Sequence, residues 1–96
     1  MKFLAIGKHP PVTAEDPGPN HDEVRANFDY IRARVADGTY DSVHIMVGGG
    51  RLIIANAGSE EALVASLTTP PDHRLRSWEI TQLLDFEEVM SAYLGD

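Results

Sequence analysis

The chain has 96 residues and a mass of 10.5 kDa, which fits one domain, because two cores of half this size would each be only marginally stable. Its 8 basic and 15 acidic side chains give a formal net charge of −7, which repels nucleic-acid phosphates and anionic lipid head groups. The chain has no cysteine, which excludes disulfides, thiolate metal sites and cysteine nucleophiles. We therefore expect a single domain over residues 1–96 that binds neither nucleic acid nor membrane.

Apolar segments of this chain are short. None approaches the roughly 20 residues that span a bilayer, and the segment from Met1 to Gly7 is too brief for the apolar part of a secretion signal. The sequence therefore predicts a cytoplasmic protein.

The first third of the chain predicts a strand, a loop and a helix. Lys2 to Lys8 is apolar at both odd and even positions, as in a strand covered on both faces. Residues 9–19 carry four of the six prolines, so neither a helix nor a sheet ladder can run through them. Asn20 and Glu23 are typical of a helix start, and Gly38 of a helix end. The apolar face of this helix is predicted to carry Val24, Phe28, Ile31 and Val35.

A hairpin and a second helix follow. Residues 42–47 and 52–57 are rich in strand-forming side chains and flank three consecutive glycines, Gly48 to Gly50, which is typical of an antiparallel hairpin. Ser59 is an N-cap residue for a short helix that Pro70 and Pro71 terminate.

The last part of the chain predicts a fourth strand and a C-terminal helix. Residues 77–84 contain Trp, Ile and Thr, which favour strands. Asp85 and Glu88 resemble a capping box at the start of the last helix. The apolar side chains of that helix fall on one face and are Phe86, Val89, Met90, Tyr93 and Leu94.

This element order, βαββαβ plus a C-terminal helix, predicts a ferredoxin-like α+β fold: a four-stranded antiparallel sheet with two helices on one face. If Val43, Ile45 and Val47 face the helices, His44 and Met46 face away, together with either Leu4 and Ile6 or Phe3 and Ala5. The open face is then largely apolar. Because a monomer seldom exposes such a patch, we expect a homodimer joined through its sheets.

Several segments together resemble the muconolactone isomerase family, and the resemblance covers nearly the whole chain. They are Asp37 to Tyr40, Val43 to Gly48, Ser59 to Leu63, and Trp78 to Ile80 after the Pro70-Pro71 break. The resemblance implies a dimeric α+β barrel and an activity that moves a double bond in a small unsaturated lactone. The same superfamily includes cofactor-independent oxygenases, dehydratases and polyketide-tailoring enzymes, so the fold alone does not define the reaction.

Three side chains are candidates for proton transfer. His21 extends the predicted apolar stripe of the first helix, and the positive helix end there favours a neutral imidazole that can accept a proton; the alternative is a surface histidine beside Asp22. His44 lies within a strand, where a hydrogen-bonded interface histidine is the simpler interpretation. Glu79 is either a carboxylate on a sheet face or a solvent-facing residue of an edge strand.

Three more side chains are candidates for substrate binding. Tyr40 could donate a hydrogen bond to a carbonyl oxygen, or simply pack on the first helix. Arg51 could hold a substrate carboxylate, or be a solvated charge of the turn. Trp78 could stack on a flat substrate, although a single tryptophan is more often part of a core.

These residues favour a cofactor-independent isomerase or related tailoring enzyme acting on a small unsaturated lactone or polyketide-like ring. His21, or else His44, would remove a proton next to a carbonyl, and Tyr40 or Arg51 would stabilise the enolate. The dispersed histidines argue against a metal, and no cofactor is expected. The alternatives are a non-catalytic dimeric protein that binds a small molecule, and a protein whose acidic C-terminal segment docks on another protein.

Overall fold

The computed structural model describes residues 1–8, 18, 20–70 and 77–95. The proline-rich segment predicted as a loop lies outside these residues except for Gly18. The elements in chain order are β1 (Lys2–Lys8), α1 (His21–Ala36), β2 (Tyr40–Ile45), β3 (Arg51–Asn56), α2 (Glu60–Leu67), β4 (Ser77–Leu83) and α3 (Phe86–Leu94).

The four strands form one antiparallel sheet in the order β2-β3-β1-β4. Because β1 and β2 are each antiparallel to β3, they are parallel to each other, and α1 must return the chain from the end of β1 to the start of β2. The same argument places α2 between β3 and β4. This topology is the predicted ferredoxin-like α+β fold, with the C-terminal helix as an addition.

Each helix begins at the capping residue that the sequence predicts. The Oδ1 atom of Asn20 accepts a hydrogen bond from the backbone N–H of Glu23 at 2.9 Å. Ser59 Oγ accepts one from Ala62 at 3.1 Å, and the Asp85 carboxylate accepts one from Glu88 at 3.1 Å. These bonds satisfy backbone donors that the first turn of a helix leaves unpaired, so the helix starts follow from local chemistry.

The hairpin strands begin earlier than the sequence predicts. The structure has β2 at residues 40–45 instead of 42–47, and β3 at 51–56 instead of 52–57. The turn explains the shift: Met46 N–H donates to the carbonyl of Gly50 at 3.0 Å, and Gly49 N–H donates back to Met46 at 3.1 Å. Val47 therefore lies in the turn, fully exposed, and the expectation that it faces the helices is wrong.

The core lies between the sheet and the two helices α1 and α2. Tyr40, at the start of β2, is anchored to α2 because its hydroxyl lies 3.2 Å from Ser66 Oγ. The buried apolar side chains come from the three strands β1, β2 and β3 and from α2, and are Phe3, Ala5, Tyr40, Ile53, Ala55, Leu63 and Leu67.

The orientation of α1 differs from the prediction. Phe28 and Val35, expected to face the sheet, are each 44% exposed, whereas Asn27 is 1% exposed. The helix is therefore rotated about its axis relative to the prediction. A hydrogen bond explains this rotation, because Tyr30 lies on the same side of α1 as Asn27 and its hydroxyl donates to the Ser66 carbonyl of α2 at 2.6 Å. The predicted apolar stripe therefore does not point directly at the sheet, and part of it is exposed to solvent.

The open face of the sheet is the one that carries His44. The cross-strand pairs Ala5↔Ile53 and Leu4↔Ile54 show that Phe3 and Ala5 lie under the helices while Leu4 and Ile6 lie on the open face. Of the two alternatives left by the sequence, the structure has the one that places Leu4 and Ile6 on the open face. Its central side chains are Leu4, Ile6, Leu52 and Ile54, all only partly buried.

Candidate functional site

Three of the candidate residues lie at one end of the helix-covered side of the sheet. Gly7, at the end of β1, pairs with Arg51 of β3 on one side and with Trp78 of β4 on the other. These positions share the face of the sheet that the helices cover. His21 begins α1 at this same end, because α1 returns the chain from the end of β1.

A cleft of about 430 Å³ lies between α1 and the edge of the sheet. Its walls are mainly apolar, and Arg51 at 4% exposure is the buried cation within it. Arg32 from α1 is the second cation of the cleft. The lining residues are Phe28, Ile31 and Arg32 from α1, Val43 and Ile45 from β2, and Arg51 from β3.

A second depression, of about 250 Å³, continues from the first along α1. It is lined by His21, Val24, Arg25, Phe28, Asp29 and Arg32, so Phe28 and Arg32 belong to both. We call the two depressions together the α1 groove. Its two ends differ. The His21 side chain is 81% exposed and lies beside Asp22, with Nδ1 3.9 Å from the carboxylate, as in the surface alternative that the sequence left open. The Arg51 side chain at the other end is buried, and Phe28 belongs to both depressions.

The α1 groove is basic although the chain is acidic. It is lined by Arg25, Arg32 and Arg51 and by one carboxylate, Asp29, whereas the whole chain carries a net charge of −7. Ion pairs elsewhere in the described residues join Lys2 with Asp41, Lys8 with Glu79 at 3.9 Å, and Arg34 with Asp37 at 2.8 Å. No carboxylate of the described residues lies within ion-pair distance of Arg25 or Arg32. The groove therefore offers positive charge to an anion.

Two of the buried side-chain atoms that have no hydrogen-bond partner among the described residues are the Oδ1 atom of Asn27 and the indole Nε1 of Trp78. Buried polar groups are nearly always paired, because leaving one unpaired costs about 1–3 kcal/mol. Neither Asn27 nor Trp78 is among the lining residues of the α1 groove.

Tyr40 lies in the core and is not among the lining residues of the α1 groove. Burial raises the pKa of the Tyr40 hydroxyl, while the hydrogen bond with Ser66 opposes this rise. The contact with Ser66 connects β2 to α2. The sequence left two interpretations of Tyr40, a hydrogen-bond donor to a substrate carbonyl and a residue that packs on the first helix. In the structure Tyr40 is a packed core residue, and its hydroxyl contacts Ser66 of α2.

His44 and Glu79 lie on the open face of the sheet, away from the α1 groove. They belong to the two outer strands, β2 and β4, so two further strands separate them. Both are exposed, and the Glu79 carboxylate lies 3.9 Å from the Lys8 ammonium. Within a single chain, these two residues and His21 do not form one site.

Sequence reasoning did not identify Phe28 or Arg32 as site residues. Phe28 was predicted for the core. The available signal was charge: Arg25 and Arg32 are seven residues apart and therefore share one side of α1.

Among the described residues, no three metal-binding side chains come together. No helix within the described ranges is both long enough and apolar enough to cross a membrane.

Comparison with known proteins supports the fold alone. No family model matches the chain, and no curated protein matches its sequence. Among solved structures, the chain is similar to 5-chloro-2-hydroxyhydroquinone dehydrochlorinase from Burkholderia phenoliruptrix AC1100, in a complex with 2,5-dihydroxybenzoquinone. The TM-score is 0.72 at 16% sequence identity, over 92% of this chain and 98% of the other. The protein thus has the ferredoxin-like α+β fold of an enzyme that acts on a small aromatic molecule.

Proposed function

We propose that this protein is a cofactor-independent enzyme, related to the muconolactone isomerase family, that moves a proton on a small unsaturated ring bound in the α1 groove. The substrate class is a lactone or polyketide-like ring with an anionic oxygen substituent. The observation that carries the proposal is the composition of the groove: apolar walls, a buried Arg51 and His21 at one end.

The arginines support the anionic substituent. A guanidinium binds a carboxylate through two parallel hydrogen bonds, and such charge-assisted bonds are stronger than neutral ones. Arg32 stands where the two depressions join, and Arg51 is shielded from water. An anionic substituent bound there would be attracted by these guanidinium groups.

The proposed reaction uses His21 as the base. Neutral imidazole takes a proton from the ring carbon next to a carbonyl, which leaves an imidazolium and an enolate. Arg51 stabilises the enolate oxygen, and the imidazolium returns the proton at the conjugated carbon, so that the product is an isomer. His21 and Phe28 are two helical turns apart, about 10.5 Å along the axis, so the reacting carbon must lie at the His21 end of the α1 groove for the imidazole to reach it.

The similar solved structure supports this class of chemistry. A dehydrochlorinase removes a proton and a chloride from its substrate, and its bound 2,5-dihydroxybenzoquinone is a flat ring with two carbonyl and two hydroxyl groups. Proton removal from a small oxygenated ring is common to dehydrochlorination and to double-bond isomerisation.

We also propose that two copies associate through their open sheet faces. The side chains that support this are Leu4, Ile6, Leu52 and Ile54, which form an apolar centre on a face that no helix of the chain covers. A face-to-face dimer would enclose His44 and Glu79 in the interface. We then expect both residues to have a structural role there and not a catalytic one.

The first experiment measures binding and proton exchange separately. 2,5-Dihydroxybenzoquinone is titrated while the fluorescence of Trp78, the only tryptophan, is recorded. Candidate unsaturated lactones are then incubated in D₂O, and deuterium at the carbon next to the carbonyl is followed by NMR. We expect His21→Gln to abolish deuterium incorporation while ligand binding persists, and His44→Gln to retain it. Incorporation that survives His21→Gln contradicts the mechanism.

A second candidate function, a non-catalytic protein that binds a small molecule, has one observation in its favour. The cleft of about 430 Å³ around Arg51 is lined by apolar and arginine side chains, with no histidine or carboxylate among the described residues that line it. A ligand held only in that part would have no base beside it. Saturable binding with no deuterium exchange for any lactone would establish this function instead.

A further inference from the structure

We infer that the α1 groove selects flat rings that carry two anionic groups at opposite ends, one bound by Arg25 and the other by Arg32. This selectivity rests on the function proposed above, which needs only one anionic substituent on the ring and leaves Arg25 unused. The ligand class is therefore a dianion, such as an aromatic ring with two carboxylates para to each other.

Four side chains of the α1 groove form one stripe along the helix. The intervals between them are four, three and four residues, which is the repeat of one side of a helix. In chain order they are an imidazole, a guanidinium, a phenyl ring and a second guanidinium, and they belong to His21, Arg25, Phe28 and Arg32. The stripe thus has a cation on either side of its phenyl ring.

The phenyl ring between the two cations is accessible to a ligand. Phe28 is 44% exposed, although phenylalanine is among the residues that proteins bury most often. A flat ring that stacks on it removes apolar area from water and gains an offset aromatic contact. Because Arg25 lies about one turn before Phe28 and Arg32 about one turn after it, a ring bound there has a guanidinium beyond each end.

Neither cation of the stripe is neutralised by a carboxylate within the part of the chain that the structure describes. The ion pairs found there do not include Arg25 or Arg32, whereas Arg34 of the same helix pairs with Asp37 at 2.8 Å. The chain has 15 acidic and 8 basic side chains, so carboxylates are not scarce. The two guanidinium groups therefore keep their charge for a ligand.

One carboxylate lies between the two cations and restricts where the anionic groups of a ligand can bind. Asp29 follows Arg25 by four residues and precedes Arg32 by three, and it lines the same depression. The charges along this part of the groove are positive, negative and positive. Asp29 repels an anionic group at the middle of the ring, whereas groups at the two ends approach the guanidinium groups.

The distance between the two cations favours two anionic groups over one. Arg25 and Arg32 are seven residues apart, which is about 10.5 Å along the helix axis. A carboxylate that binds a guanidinium through two parallel hydrogen bonds lies about 2.7–2.9 Å from its nitrogen atoms, so one carboxylate occupies one arginine. Two such contacts need two anionic groups, and a ring stacked on Phe28 is the spacer that joins them.

The test compares rings of similar size that differ in the number and position of their anionic groups. Terephthalate has carboxylates at opposite ends, its monomethyl ester has one, and phthalate has two adjacent ones. All three are titrated by isothermal calorimetry at low ionic strength. We expect terephthalate to bind about tenfold more tightly than the monomethyl ester, as for one additional charge-assisted contact, and more tightly than phthalate. Equal affinities of terephthalate and the monomethyl ester overturn the inference.

Substitutions on α1 identify the cation that binds the second group. Arg25→Gln should lower the affinity for terephthalate about tenfold and change that for the monomethyl ester by no more than about twofold. Arg34→Gln is the matched control, because it removes the same charge from α1 outside the groove, and it should change neither affinity. Asp29→Asn should strengthen phthalate binding more than terephthalate binding. Equal effects of Arg25→Gln and Arg34→Gln on terephthalate would indicate net charge alone and contradict the inference.

These measurements separate the inference from the proposed reaction. If terephthalate has no advantage over the monomethyl ester while His21→Gln still abolishes deuterium incorporation into a lactone, the selectivity for dianions is wrong and the reaction stands. If no lactone incorporates deuterium while Arg25→Gln removes a preference for terephthalate, the groove binds dianions and the reaction is wrong. A failure of terephthalate to bind at all overturns the inference, and deuterium incorporation then tests the reaction by itself.

Discussion

The indole ring of Trp78 occupies the space above Gly7. A Cβ atom built on Gly7 would lie 2.8 Å from Cζ3 of Trp78 and 2.9 Å from Cη2. Both distances are shorter than the contacts that Cβ atoms make in proteins. The two residues are direct cross-strand neighbours, and Arg51 flanks Gly7 on the other side. The missing side chain of Gly7 is therefore what allows the tryptophan to lie flat at the end of the sheet where the candidate site begins.

Gly7→Ala should displace this ring. Overpacking of a buried contact costs about 1–3 kcal/mol, so the free energy of unfolding should fall by that amount, and the emission of Trp78 should shift as the ring moves. Urea denaturation followed by fluorescence measures both. Gly58→Ala is the matched control, because no heavy atom lies within 4 Å of the added Cβ. Equal stability of Gly7→Ala and Gly58→Ala would contradict the packing described here.

Asn27→Leu should separate stability from binding. The substitution removes a buried acceptor that has no partner among the described residues, so the free energy of unfolding should rise by about 1 kcal/mol. Affinity for 2,5-dihydroxybenzoquinone should stay unchanged, because Asn27 lines neither depression of the α1 groove. Asn56→Leu is the contrast, because Asn56 donates to the Gly38 carbonyl and to Asp41, and its loss should destabilise. A loss of affinity in Asn27→Leu would contradict binding in the α1 groove.

Tyr40 should make the protein sensitive to alkali. Burial is the main cause of its raised pKa, so the folded state binds the hydroxyl proton more tightly than the unfolded state, whose reference value is 10.0. The resulting stabilisation is complete below pH 10 and is lost as the pH rises through the raised value. Urea midpoints from pH 8 to 12 should fall for the wild type and fall less for Tyr40→Phe. Parallel curves for the two proteins would argue against this role.

Asp41 should contribute to stability in a way that is lost at low pH, whereas the contribution of Tyr40 is lost at high pH. Hydrogen bonds from Lys2 first and Asn56 second lower the pKa of its carboxyl below the reference value of 3.8. Its stabilisation is therefore present above that value and is lost as the pH falls through the lowered one. The difference in unfolding free energy between the wild type and Asp41→Asn should shrink between pH 5 and pH 2. A difference that stays constant over this range would show that the ion pair does not influence folding.

Arg32→Gln should weaken substrate binding more than turnover. Losing a charge-assisted hydrogen bond costs about 1.5–3 kcal/mol, which corresponds to a rise in KM of roughly tenfold or more for an anionic ring, with little change in kcat. Arg34→Gln is the control on the same helix, since Arg34 pairs with Asp37 and lines neither depression of the groove. A neutral ring should lose little affinity in either variant. Equal losses for neutral and anionic rings would argue against recognition of charge.

Local signals predicted the elements well, and contacts between distant residues explain where prediction failed. The N-caps Asn20, Ser59 and Asp85 determine helix starts through bonds within three residues, so the sequence reveals them directly. The rotation of α1 depends on a bond from Tyr30 to Ser66, 36 residues away, which no periodicity shows.

The candidate site was predicted in the same uneven way. Topology brings His21, Arg51 and Trp78 to one end of the sheet, and this follows from the element order alone. Parity within the strands places His44 and Glu79 on the other face, which the sequence allowed but did not decide. The spacing of Arg25 and Arg32 places both on one side of α1, but the sequence does not show that this side lines a groove.

The uncovered apolar surfaces have a consequence for the life of the newly made chain. A chain on its own exposes the apolar open face of its sheet and apolar side chains of α3, and both can contact unfolded chains. If the proposed dimer covers the open face, its assembly competes with aggregation, and the balance depends on the concentration of folded copies. Slow synthesis at low temperature, which gives pairing time to win, should yield more usable material than a rapid burst of expression.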